Sequence, residues 1–134
     1  MSRCVFLFGE AEKGELCTPF YCRNLPSLFE KLGNPPEDSQ GIHYALQTLL
    51  YQKDLIFFRV REEGFYTEDY MRGINLLKNQ EVSSGLDAIC MPGVGDEEII
   101  EAATPLCQLY KSLLVITEKD LYDYLTLKNL IKPS

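Results

Sequence analysis

The chain has 134 residues, 46% hydrophobic and 25% charged, with a net charge of −7 and a pI near 4.7. That length suits one domain, and that composition supports a sizeable core, which argues against bulk disorder. The acidic balance and the scatter of lysines and arginines argue against a nucleic-acid or anionic-membrane partner, and no apolar stretch approaches the roughly 20 residues of a membrane span.

In chain order, Arg3 to Phe8 predicts an apolar strand, and Gly9 to Gly14 a polar turn. A short second strand is expected around Phe20–Arg23, and Pro19 there points to an edge or irregular position. LPSLFEKLG reads as a short helix, with Pro26 in its first turn and Gly33 as its stop. NPPEDSQG is a loop by composition. Helical spacing follows at Ile42, Ala45, Leu46, Leu49 and Leu50.

DLIFFRVRE is the next strand, rich in β-branched and aromatic residues. TEDYMRGINLLKNQ reads as a helix with Thr67 as N-cap and acids in its first turn. Its Tyr70, Met71, Ile74 and Leu77 share one face, and Gly73 weakens it. GLDAICMP is a strand. DEEIIEAATPLCQLYK is a helix with Ile99, Ile100, Ala103, Leu106, Cys107 and Tyr110 inward, and Pro105 predicts a kink. SLLVIT is the last strand and EKDLYDYLTLKNLIK the last helix, opened by a capping box of Thr117 and Asp120. Crossover helices between apolar strands give the fold class: one α/β domain over residues 1–134, three-layered, with a mainly parallel or mixed central sheet flanked by helices.

The segment AICMPGVGDEEIIEAA has the layout of a strand, a tight loop and a helix, which in many α/β proteins holds a phosphate. Gly93-Val94-Gly95 lacks the third glycine of a dinucleotide loop, and no lysine follows as in a triphosphate loop. Asp96, Glu97 and Glu98 stand where the anion would lie and complement the helix dipole themselves. Asp96 therefore reads as an N-cap. One contiguous acidic turn does not supply the converging oxygens that a hard cation needs.

The five cysteines are Cys4, Cys17, Cys22, Cys90 and Cys107, an odd number with no signal-type region before the first strand. A disulfide framework is not expected, and a cytoplasmic setting is. Cys17 and Cys22 are too widely spaced for a typical zinc pair, and His43 is the only histidine. Cys90 and Cys107 read as structural. Cysteine–histidine catalysis through Cys17 or Cys22 is the weakest of the readings, because no electropositive, accessible setting for a thiolate is visible. No residue is therefore nominated as catalytic, cofactor-binding or metal-binding, and no cofactor is expected. Tyrosines such as Tyr66 and Tyr70, or Tyr122 and Tyr124, read as packing residues, with any exposed surplus suited to a contact surface.

Read together, the pieces resemble the core domain of contractile phage tail sheath proteins. The likeness runs over roughly residues 4–120. It rests on Gly9-Glu10-Ala11-Glu12-Lys13-Gly14 after the first strand, on Thr18-Pro19, and on Ser27-Leu28-Phe29-Glu30-Lys31-Leu32-Gly33. It continues through the strand ending at Arg59-Val60 and the strand leading into Pro92-Gly93 and Asp96. Glu15 stands where the family has proline, and Leu32-Gly33 where it has Phe-Gly. The resemblance implies a non-enzymatic structural or assembly module. Its partners would be proteins, either itself or tail-assembly components, in the cytoplasm or in a tail particle. Sheath subunits carry further domains and terminal arms, and this chain starts at the first strand. A monomer or small oligomer is the expectation. The alternative is a Rossmann-like or flavodoxin-like ligand-binding domain, with its site around Gly93–Glu97 and Gly9–Gly14 beyond the carboxyl ends of the strands.

Overall fold

A computed structural model describes residues 4–79 and 85–130, with side chains as far as residue 126. Arg3, Gln80 and the last residues of the expected final helix lie outside these. The elements are β1 (Cys4–Gly9), β2 (Pro19–Cys22), α1 (Leu25–Leu32), α2 (Gly41–Leu50), β3 (Asp54–Arg59), α3 (Thr67–Lys78), β4 (Leu86–Cys90), α4 (Glu97–Tyr110), β5 (Leu113–Val115) and α5 (Glu118–Leu130). They form a single sheet in the order β2-β3-β1-β4-β5. β1, β3, β4 and β5 run parallel, and β2 lies antiparallel on β3. The sheet is thus mixed and mainly parallel, in an α/β domain.

Alternation along the strands divides the core in two. Val5, Leu7, Leu55, Phe57, Ala88 and Cys90 meet α1, α2 and α5 on one face. Cys4, Phe6, Phe8, Ile56, Phe58 and Ile89 meet α3 and α4 on the other. Every residue of β1 from Cys4 to Phe8 is buried, as expected for a central parallel strand covered on both sides. On the second face Phe6, Phe8, Phe58 and Tyr70 pack as an aromatic cluster, with ring centroids 5.1 to 5.8 Å apart. Gly73 is the fourth wall of this cluster: a Cβ there would overlap the Phe8 ring. The glycine that weakens the helix locally is what lets α3 approach β1.

The heads of α1, α4 and α5 follow local chemistry, whereas α2 and α3 have no side-chain cap of their own. The Asn24 side chain caps α1 by accepting from the Ser27 N–H at 2.9 Å, and Gly33 ends it at φ 79°. Asp96 caps α4, accepting from the Glu98 N–H at 2.8 Å. Thr117 and Asp120 bond reciprocally at the head of α5, at 3.1 and 3.2 Å. The expected Thr67 cap of α3 is wrong. Thr67 is the first helical residue, and Tyr66 occupies the cap position in a left-handed conformation, φ 57°. The Thr67 hydroxyl donates to the Asp96 carboxylate at 3.4 Å, a tertiary contact instead of a cap. α4 runs continuously through Pro105, which is exposed and leaves the Glu101 carbonyl without an N–H.

Both sheet edges are poor templates for further pairing. The Val60 N–H donates to the Gly9 carbonyl, which turns even-numbered β3 residues toward β1 and odd ones toward β2. The register then points Phe20 and Cys22 at β3 and leaves Pro19 and Tyr21 facing outward. Pro19 has no N–H, and the Tyr21 carbonyl accepts from the Lys31 ammonium. Proline and lysine are the usual means of blunting an edge. At the opposite edge β5 has only three residues, and the next N–H, that of Ile116, is taken by Asp120 at 3.3 Å.

Candidate functional site

In open α/β sheets a ligand binds beyond the carboxyl ends of the strands, where successive connections leave in opposite directions. Here that point lies above β1, between β3 and β4. Three segments meet there: Glu10 after β1, residues 60–66 after β3, and Met91–Asp96 after β4.

Glu63 fills the crevice. Its Oε2 accepts from the Glu10 N–H at 2.9 Å and the Gly41 N–H at 2.8 Å, and its Oε1 accepts from the Gln40 N–H at 2.8 Å. Two of those donors open α2, where unpaired N–H groups and the helix dipole favour an anion. Glu10 answers by accepting from the Glu63 N–H at 2.9 Å. The approach is close because both flanking residues are glycine. A Cβ on Gly9 would sit 2.8 Å from the Gly41 Cα, and a Cβ on Gly41 would sit 2.8 Å from Glu63 Oε2. Burial pushes the Glu63 carboxyl above the usual range. The three backbone N–H groups pull it down, and the nearby Glu10 charge adds to the rise. Gly64 continues the loop against Gly93, and its N–H donates to the Tyr70 hydroxyl at 2.8 Å. The donors a bound phosphate would seek are spent on the chain's own carboxylate.

Beside this crevice is a shallow cleft of about 370 Å³ lined by Leu16, Cys17, Arg61, Glu68, Asp69 and Arg72. Asp69 is buried, and its two oxygens accept from the Arg61 backbone N–H, Nε and Nη2, each at 3.0 Å. Burial alone would raise the Asp69 carboxyl, but these bonds and the Arg61 charge outweigh it and hold it below the usual value. Arg61 also reaches Glu68 at 3.3 Å and lies over the Tyr66 ring, 4.0 Å from its centroid. The Cys17 thiol is pushed up by burial and then by Asp69, against the opposing pull of Arg72 and Arg61. A nucleophilic cysteine needs the reverse shift.

The residues singled out in the sequence are dispersed. His43 is exposed on α2, in a separate cleft with Gln40, Gln47 and Glu118. The sheet divides it from Cys17, which packs on the face of α3 and α4. Burial raises the Cys22, Cys90 and Cys107 thiols as well. Gly93, Gly95 and Asp96 to Glu98 line the outer rim of the loop and are exposed. Tyr66 and Tyr70 part company: Tyr66 is exposed, while Tyr70 is fully buried and stacks on Phe8 at 5.2 Å. Tyr122 is exposed, whereas Tyr124 is buried and bonds Asp87 at 3.3 Å.

Glu63, Asp69 and Arg61 were not singled out. The signal that could have found Glu63 is its place in a short charged loop at the carboxyl end of a buried strand. Asp69 read as one more first-turn acid. Among the described residues, no group of three or more His, Cys, Asp or Glu is placed to hold a metal ion, and no helix is long and apolar enough to cross a membrane. No family model, no curated protein and no solved structure matches this chain.

Proposed function

We propose that this chain is a non-catalytic assembly module, an α/β unit of the contractile tail sheath core kind that works by contacting other proteins. The observation that carries this reading is the Glu63 carboxylate seated in the carboxyl-end crevice. It satisfies the N–H groups of Glu10, Gln40 and Gly41, so a nucleotide phosphate would have to expel a half-buried anion held by three hydrogen bonds. That argument counts against the ligand-binding alternative on the Glu10 side of the crevice. Burial and Asp69 push the Cys17 thiol up, which counts against thiolate chemistry there. The resemblance of residues 9–14 and 27–33 to sheath cores supports the choice of assembly over other binding roles. The net charge of −7 favours protein partners over nucleic acid.

The reading is tested in two steps. Calorimetry with mononucleotides, dinucleotides and inorganic phosphate should register no binding to the wild-type chain. Sedimentation should give a monomer or small oligomer alone and a larger complex once neighbouring gene products are added. Micromolar nucleotide affinity, or turnover of a small substrate at ordinary enzymatic rates, would overturn it.

A further inference from the structure

The carboxyl-end rim carries an exposed apolar group with no role in holding the fold. Phe65 and Tyr66 are 61% and 46% exposed at the tip of the loop after β3, and Leu16 is 41% exposed on the wall of the adjoining cleft. Phe65 precedes Tyr66 in the chain, Tyr66 stacks on Arg61, and Arg61 shares the cleft with Leu16. The loop is firmly seated, through Glu63 on one side and the Tyr70 hydroxyl under Gly64 on the other. The left-handed backbone of Tyr66 and the Arg61 stack fix its ring at the surface. Rigid aromatics that lose little entropy on contact are what interfaces use as anchors.

The exposed charge around these anchors is predominantly negative. Glu62, Glu68, Glu97 and Glu98 are all exposed, and the bond from Thr67 to Asp96 brings the head of α4 alongside the loop. Arg61 is already paired with Asp69 and Glu68, which leaves Arg72 as the opposing charge in the cleft. A second copy of this surface would be repelled. We infer that Phe65, Tyr66 and Leu16, with Glu62, Glu97 and Glu98 exposed on the same rim, form a docking surface for a lysine- or arginine-rich segment of another protein that presents a large apolar side chain. The apolar residue sits on the aromatic pair, and the flanking cations meet the carboxylates. This rests on the interaction-module reading and names the partner's chemistry.

The test is a titration of the isotopically labelled full chain with a lysine-rich peptide carrying one central leucine, followed by amide NMR. Shifts should concentrate on residues 61–68 and 93–98. Phe65→Ala, or Glu97→Gln with Glu98→Gln, should weaken binding about tenfold, the size of one lost anchor. These side chains are exposed, so the variants should keep wild-type spectra elsewhere. Replacing the peptide's leucine by glycine should weaken binding comparably. Shifts confined to the β2 or β5 edge, or affinity indifferent to Phe65→Ala and to the leucine, would overturn the docking surface and leave the interaction reading standing. That reading falls separately, on nucleotide binding or turnover. Absence of any shift overturns the proposal, as does equal binding of a glutamate-rich control peptide.

Discussion

Glu63 shows how one side chain can substitute for a ligand. Its three N–H partners come from two segments that its own loop must join, so the carboxylate acts as a clamp at the head of the sheet. Glu63→Ala should destabilise by about 1 kcal/mol, chiefly from the buried Gly41 N–H left unpaired, since Gln40 is exposed and Glu10 half-buried. Added sulfate should then raise the melting temperature of the variant more than that of the wild type, because an anion can re-enter the vacated place. Equal responses would show that the crevice closes over. Acid behaviour separates Glu63 from Asp69. The Glu63 carboxyl is raised in the folded state, so its contribution is present below the ordinary value of 4.5 and is lost as pH rises through the folded value. Asp69 is lowered, so its contribution is present above 3.8 and is lost as pH falls through a still lower value. Denaturation midpoints should therefore rise as pH is lowered from neutral toward 4.5, and fall below 3.8. Asp69→Asn should remove part of the fall, and Glu63→Ala the rise.

At the scale of elements, α3 and α4 test two kinds of constraint. Gly73→Ala would improve helix propensity by roughly 1 kcal/mol, yet its methyl group would enter the Phe8 ring. Overpacking of this sort costs roughly 1–3 kcal/mol, so chemical denaturation should show a net loss. A gain would mean that Phe8 and Phe58 move aside freely. Asp96→Ala should cost about 1 kcal/mol, since the Glu98 N–H loses its acceptor. Unchanged stability would show that Glu97 and Glu98 supply the N-terminal charge alone.

For the whole molecule, association is governed by what the sheet edges present. β2 closes its edge with Pro19 and with Lys31 on the Tyr21 carbonyl. Pro19→Thr combined with Lys31→Ala restores an outward N–H and frees a carbonyl. Sedimentation at increasing concentration should then show more self-association than the wild-type chain gives. A variant that stays as dispersed as the wild type would place the control of association in surface charge.

What the sequence determined by itself was local. Apolar runs, helical spacing and turn residues identified all ten elements and the α/β class, Pro19 marked the edge, and Asp96 and the Thr117–Asp120 pair marked helix starts. These features rest on backbone groups within a few residues, so one stretch of chain suffices to specify them. Glycine and acid at residues 93–98 likewise read correctly as a capped turn. The tertiary structure decided the rest. Glu63 meets Glu10 across 53 positions and Gly41 across 22, and no local pattern encodes such convergence. Asp69 looked like a dipole-compensating acid until the fold buried it beneath Arg61, and Thr67, expected as a cap, lies inside the helix and donates to Asp96, 29 positions away. Gly73 read as a weakness because the ring it accommodates arrives from β1, at the far end of the sequence. Periodicity registers which face of an element is apolar. Only packing fixes which distant carboxylate, ring or N–H that face will meet.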